Sequence, residues 1–407
     1  MRVGVVRAML AAALLPAAAG AQTVSLTEPQ ALAQLAAENP RVTAARAAVD
    51  EARAEVLAAS RWPNPRVTFN REAVAGVTED MVMVGQVLPI TGRRRFDMAA
   101  ASALVDASSS RADDQVRRLR ANLRLAFNDL WTAQVREREL AASRDRLRDL
   151  AEVLGRRETA GDAAGFDRLR AEREVIDVDA DRALAGTDRL RAQAQLSSFL
   201  TTPAEGPALE AARTPPQRSP LPTLEELVAR AQTARGEFIA LQREVEAAEF
   251  AGRAAARRLI PEPELVAGTK SSNAGGGDVG SILSVHVAVP LFDRAKPERA
   301  LAQARGRRAR AEADALRRTV RGDIAAWRAA AVERRDIADR YRAAVTATSD
   351  QIERIALVSY EAGERGILDL LDAYRIGAAA RARQAALDAA AREADIELEF
   401  VSGWEIP

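Results

Sequence analysis

Apolar positions along this chain change period several times, and the whole progression is run through twice. Residues 28–60 carry apolar side chains at three- and four-residue spacing, the mark of a helix, with Asn39-Pro40 as a point of restart, and the stretch stops at Pro63-Asn64-Pro65. Alternation follows: Val67 and Phe69 are interleaved with Thr68 and Asn70, and Met81 to Leu88 alternates less cleanly. From about Arg94 to Leu154 the helical period returns through Leu119, Leu123, Ala126, Leu130, Leu140 and Leu147, with Glu137 and Arg144 as polar exceptions. That run predicts a heptad seam on one helix of about 60 residues, on the order of 90 Å long. A break at Ala160-Gly161 then predicts a return helix over 165–200.

The second half repeats this order. Thr223 followed by Glu226 has the spacing of a capping box and opens a helix expected to run to Ile260, where Pro261-Glu262-Pro263 ends it. Leu283, Val285, Val287 and Val289 alternate with Ser284, His286 and Ala288. A long helix is expected over 296–360, then a break at Ala362-Gly363 and a return helix over 366–400. Equivalent landmarks lie 198 (Pro63 and Pro261), 201 (Leu88 and Val289) and 202 residues apart (Ala160 and Ala362). The chain is therefore expected to be a tandem duplication of one unit. The expected organisation is a first repeat over 22–200, a Pro-rich linker over 201–222 and a second repeat over 223–407.

Residues 1–21 add a different signal. Arg2 and Arg7 flank an Ala/Leu-rich run that closes on Ala19-Gly20-Ala21, which reads as a cleaved secretory signal peptide. Without it the chain has 57 basic and 58 acidic residues, a net charge of −1, which argues against a nucleic-acid partner. Cysteine is absent and there is one histidine, His286, so disulfides, an acylated cysteine and a Cys/His metal site are excluded; no metal or other cofactor is expected. Aromatic residues make up 4% and charged residues 29%, and much of the apolar content is alanine, which suits long, closely packed helices better than a thick core.

Four strands of about ten residues have the length of tilted membrane strands but are too few to close a barrel. Open edges in lipid leave backbone groups unpaired, so other copies of the chain must pair with them; three copies together supply twelve strands. The fold class expected is mainly α with a small membrane β part: long coiled-coil helices forming a trimeric α-barrel, and four strands per protomer in a 12-stranded barrel.

The chain resembles the TolC family of outer-membrane efflux proteins. The resemblance spans the mature sequence and rests on Asn39-Pro40, Pro63-Asn64-Pro65, Gln86-Val87-Leu88-Pro89 with Thr91-Gly92-Arg93, Val289-Pro290-Leu291-Phe292-Asp293-Arg294, and Tyr360-Glu361-Ala362-Gly363-Glu364-Arg365 leading to Asp369-Leu370-Leu371-Asp372-Ala373. It implies a homotrimeric, non-enzymatic duct in the outer membrane that reaches into the periplasm and docks with a periplasmic adaptor and an inner-membrane pump. It also implies a gate at the periplasmic tip, where Tyr360 and Arg365 bond to Asp167, and an acidic ring of Asp369 and Asp372 at the entrance. The first-copy tip, Gly161-Asp162-Ala163-Ala164, lacks the arginine of the second, so the two tips are expected to differ. The transported substrate, whether metal ions, drugs or proteins, stays open. A periplasmic adaptor or another coiled-coil interaction protein is the competing reading.

Three further groups of residues follow from position. Gly161 and Gly363 supply the left-handed backbone that ends a long helix. Trp62 is placed to anchor at a membrane interface or to pack in the core. Arg93, Arg94 and Arg95 fall at a helix start, the end of the macrodipole that disfavours cations, and Arg294, Lys296 and Arg299 repeat the placement. Lipid phosphate at the periplasmic membrane face is the partner this predicts.

Overall fold

A computed structural model describes residues 24–35, 39–160, 165–200, 208–213 and 219–404. The expected signal peptide over 1–21 and the helix break at Gly161 lie outside the described residues.

The chain runs β1 (Val24–Thr27), α1 (Glu28–Gln34), α2 (Pro40–Ser60), β2 (Arg66–Val74), β3 (Val77–Val87), α3 (Arg93–Ala160), α4 (Gly165–Ser197) and β4 (Leu209–Ala212). It continues through α5 (Leu224–Ala234), α6 (Gly236–Arg257), β5 (Pro263–Ser272), β6 (Val279–Val287), α7 (Lys296–Tyr341), a π-helical segment (Arg342–Thr346), α8 (Ala347–Glu361) and α9 (Ile367–Ser402). Helix starts obey their local chemistry. Thr27 and Gln30 form a reciprocal capping box at α1, and Thr223 and Glu226 do the same at α5. Asn39 caps α2 by accepting from Arg41 N at 2.9 Å, with Pro40 in the first turn, and its amide donates to Phe199 O at 2.9 Å.

α3 spans 68 residues without interruption, at 1.5 Å per residue about 100 Å. The two polar positions in its seam are explained by partners: Glu137 accepts from Arg189 of α4 at 2.6 Å, and Arg144 lies 3.6 Å from Asp179 of α4. Between α3, α4, α1 and the small strands sits one apolar cluster built on Leu123, Phe127, Leu130 and Leu196. A second joins α5, α7 and α9 through Leu227, Ile324 and Leu398, and a third lies at the far end of the helices around Leu154, Ile367 and Leu370.

Three elements depart from the sequence expectation. The helix expected over Thr223 to Ile260 is two helices, because the backbone is extended at Arg235 and turns α6 onto α3. That approach requires glycine: a Cβ on Gly236 would stand 2.0 Å from Ser110 O. The helix expected over 296–360 is interrupted by the π-helical segment. The Pro-rich connector holds β4, which pairs in parallel with β1, Val24 opposite Leu209.

The larger sheet has the order β2-β3-β5-β6, antiparallel throughout. Each half contributes a hairpin, and the two are joined by β3 and β5 with Val84 opposite Ala267. At the turn end Asn273 ties one hairpin to the other: its side-chain oxygen accepts from Thr78 N at 2.7 Å and its amide donates to Gly76 O at 3.3 Å.

Glu28 fastens the N-terminal elements to the helices. It accepts from Arg124 of α3 at 2.6 Å and from Arg392 of α9 at 2.8 Å, while Arg124 also pairs with Glu399. Burial pushes the Glu28 carboxyl up, but Arg392 and Arg124 together outweigh burial and hold it below the ordinary value. A carboxylate depressed in the folded state adds stability that is present above its unfolded pKa and lost as pH falls through the folded one. Glu28→Gln is therefore expected to lower stability at neutral pH by about 1–3 kcal/mol. It should also flatten the acid side of the profile below about pH 4. Melting curves of both proteins between neutral and acid pH check this; parallel acid limbs in the two would count against it.

Candidate functional site

Register decides what each face of the four-stranded sheet presents. Val67 pairs with Val84, Phe69 with Val82, Ala267 with Leu283 and Leu265 with Val285, which puts all eight on one face. The seven larger ones are between 42% and 76% exposed. The other face carries Thr68, Asn70, Glu72, Glu79, Glu264 and Lys270, interleaved with Met81, Met83 and Ile282. Opposite charges meet there across the strands, Lys270 with Glu79 at 2.5 Å and Arg66 with Glu264 at 3.8 Å. His286 sits opposite Glu264 on this polar face, exposed. An apolar face of this extent has no business in water, and no described element covers it. β2 and β6 each pair on one side only, so the sheet has two open edges.

The base of the sheet concentrates the basic residues. Arg93 opens α3, 3.9 Å from Asp97 and 4.0 Å from Glu262, and Glu262 also accepts from Thr91 Oγ1 at 2.7 Å. The Asp97 carboxyl is pushed up by burial, against the pull of Arg93 and Arg258. The Arg94 guanidinium lies 5.5 Å from the ring centre of Trp62, which is exposed. Arg95, Arg294 and Lys296 are exposed, whereas Arg299 is turned onto its own helix start, donating to Arg294 O at 3.1 Å and Ala295 O at 3.4 Å. Phe292, beside them, is 99% exposed.

At the far end of the helices, α8 turns into α9. Gly363 takes a left-handed φ of 76° and donates to Tyr360 O at 3.1 Å, closing the helix as its sequence position predicts. Tyr360 is half-buried against the tip cluster with the Arg157 guanidinium of α3 5.8 Å from its ring centre. Arg365 lies 4.0 Å from Asp369, one turn away on its own hairpin. Asp167 sits in the first turn of α4, where a carboxylate favours the helix macrodipole. Among the described residues no hydrogen bond or ion pair joins Asp167 to Tyr360 or Arg365. Asp369 and Asp372 are exposed, three residues apart on one side of α9.

A stronger tie between the two hairpins lies higher up and was missed from sequence. Arg381 of α9 reaches Glu139 of α3 at 2.8 Å and, on α8, Asp350 at 3.0 Å and Glu353 at 2.9 Å; Glu353 also accepts from Arg146 of α3 at 2.9 Å. Arg375 clasps both carboxylate oxygens of Glu174 in α4, at 2.7 and 2.8 Å. Pairs this distant in sequence leave no local spacing to read.

A scan against protein-family models matches none, and a search of curated proteins finds no match. Solved structures do match, over nearly the whole chain. The Campylobacter jejuni CmeC outer membrane channel superimposes with a TM-score of 0.76 at 12% identity, covering 92% of this chain and 85% of that one. CusC, whose structures describe transmembrane channel formation, gives 0.75 at 16% identity, covering 93% and 92%. The open state of the Neisseria gonorrhoeae MtrE outer membrane channel gives 0.73 at 18% identity, covering 92% and 88%. The chain thus has the mainly α fold, with a small antiparallel sheet, of the TolC-like outer-membrane channels.

Proposed function

We propose that the chain is the outer-membrane channel of an efflux or secretion system: a passive, non-enzymatic duct, trimeric, running through the membrane and the periplasm and gated at its periplasmic tip. The observation that carries this reading is the sheet, apolar and uncovered on one face, polar on the other, and open at both edges. In lipid each unpaired backbone group costs several kcal/mol, so the edges call for the same strands from neighbouring copies, and cyclic symmetry closes a barrel with the polar face inward. An adaptor would have no use for such a sheet. Exposed apolar residues along α4, among them Phe166, Leu169, Ile176 and Leu190, supply a seam by which the helices of successive protomers close a second tube below.

The organisation fits the same reading: a secretory signal over 1–21, two repeats over 22–200 and 223–407 and a linker over 201–222, each repeat giving one strand hairpin and one helical hairpin. Arg93, Arg94, Arg95, Arg294 and Lys296 meet lipid phosphate at the periplasmic membrane face, with Trp62 and Phe292 at the level of the headgroups; Arg299 serves its own helix start. A periplasmic adaptor and an inner-membrane pump complete the system, and the pump selects the substrate.

Purified from the outer-membrane fraction, the protein is expected to be a detergent-dependent, heat-modifiable trimer, running as a slow trimer band before boiling and as a faster monomer band after. A monodisperse monomer soluble without detergent would end this reading. Lipid phosphorus carried by the trimer should fall when Arg94, Arg95 and Lys296 are changed to alanine together.

Within this reading Asp167 bonds to Tyr360 and Arg365 across hairpins of the closed assembly. Each partly exposed pair is worth about 0–1 kcal/mol, and threefold symmetry multiplies the sum. Arg365→Ser with Tyr360→Phe should raise single-channel conductance in planar bilayers severalfold, with the melting temperature of the trimer nearly unchanged. Conductance equal to that of the parent in a folded trimer would remove these residues from the gate.

Asp369 and Asp372, tripled near the axis, make an entrance that attracts cations. Di- or trivalent cations added on the periplasmic side should reduce the current, and Asp369→Ala with Asp372→Ala should relieve the block. Undiminished block in the double variant would refute the assignment.

A further inference from the structure

We infer that the second helical hairpin bends at the π-helical segment 342–346, and that Gln384 and Arg342 set this hinge. The inference rests on the channel reading above and adds to it the place where the tip-bearing rod gives way.

The two halves differ at this segment. Seventy-two residues separate Pro89 from Gly161 in the first copy, and 73 separate Pro290 from Gly363 in the second. The first copy spans this distance in α3 without a break, and the second interrupts its helix once, at 342–346. The helix opens four residues after Pro89 but six after Pro290, so the difference in spacing is taken up ahead of the helix, and the π turn stands as a local departure from the α-helical ladder that α3 does not share.

A π turn loosens the regular ladder, and here side chains of the facing helix meet it. Gln384 of α9 donates its amide to Ala338 O at 3.2 Å, at the upper edge of the turn. Arg342, its first residue, pairs with Asp339 at 3.0 Å and with Asp388 of α9. Above the turn, α7 is fixed by Val320, Ile324, Ala331 and Ala338, all buried. Below it, α8 leaves Ile352, Ile355 and Val358 exposed and, among its described side chains, fully buries Ser349 and Ala356. Beside Ala356 and Tyr360, which pack on the tip cluster, α8 is held by the carboxylate of Glu353 between Arg146 and Arg381. Glycine at 377 makes room for it, since a Cβ there would stand 1.5 Å from Glu353 Oε1.

The arrangement is a well-anchored helix, a loosened turn and a rod clamped chiefly by charge. The rod reaches about 30 Å from the turn to Gly363, so a bend of about 10° moves the tip by about 5 Å. Releasing Glu353 frees the rod, and the π turn lets it swing without unwinding α7.

Amide hydrogen exchange on the full-length trimer in detergent tests the hinge. Residues 342–346 should exchange about tenfold faster than 140–144, which occupy the equivalent place in α3. Deleting Ala344 restores an unbroken α-helix in the same register and should abolish the difference. It should also cut single-channel conductance severalfold, whereas Glu353→Gln should raise it. Should the deletion prevent trimer assembly, Gln384→Ala decides instead: exchange should quicken about threefold in 342–346 and stay unchanged in 140–144. Equal protection of the two segments in the parent protein, no response to Gln384→Ala, or an unaltered conductance in the deleted trimer each overturns the proposal. If the chain forms no channel, every variant is silent in the bilayer while the exchange measurement still decides the hinge.

Discussion

Unsatisfied strand edges are the constraint on which the rest of this structure depends. Helices close their own hydrogen bonds, so a single copy of α3 or α7 asks nothing of its neighbours beyond packing. The sheet is different, because β2 and β6 each present a row of N–H and C=O groups with no described partner, beside a face of exposed Val, Leu and Phe. Water would satisfy the edges but not the face; lipid would satisfy the face but not the edges. Only closure against further strands in a membrane satisfies both, and this is why oligomer, membrane and channel arrive together as one proposal.

The helical part answers a different demand, which is length with little mass. Large side chains are scarce, and the helices close on one another through small residues instead. A Cβ on Gly306 would lie 3.5 Å from Ala248, and one on Gly252 would lie 3.8 Å from Ala302. Such seams bury little apolar area per residue, so orientation is left to arginine pairs between helices, as at Glu28, Glu137 and Glu353. Pairs of this kind contribute modestly to stability when partly exposed, and removing one member of a half-buried set is costlier than its net worth.

Legibility followed the range of the interactions. Strand alternation, the Pro-x-Pro stops, the capping boxes at Thr27 and Thr223 and the left-handed Gly363 are settled within a few residues, and the sequence stated the strands, the stops, the second box and the glycine in advance. The break at Arg235 was invisible because it accompanies a close approach of Gly236 to Ser110, more than a hundred residues away. β1 and β4 were missed for the same reason: four-residue strands carry too little alternation to register, and each exists only by pairing with the other. At the tip, Arg365 finds Asp369 on its own hairpin, while the ties that cross between hairpins run through Arg375 and Arg381. The π turn was missed because it leaves the apolar period on either side of it intact.

Two halves with the same order of strand hairpin and long helix face the same packing problem, so differences between them cannot be ascribed to the fold itself. The strand hairpins have diverged little in form, because both must present one apolar and one polar face to the same sheet. The helical hairpins differ in one direction: the second holds the π turn, the glutamate seated over a glycine, and the tip with tyrosine and arginine, while the first keeps an unbroken helix of 68 residues. A frame and a moving part would be expected to differ in this way. Under the proposed channel reading, the first half serves as the frame and the second as the moving part.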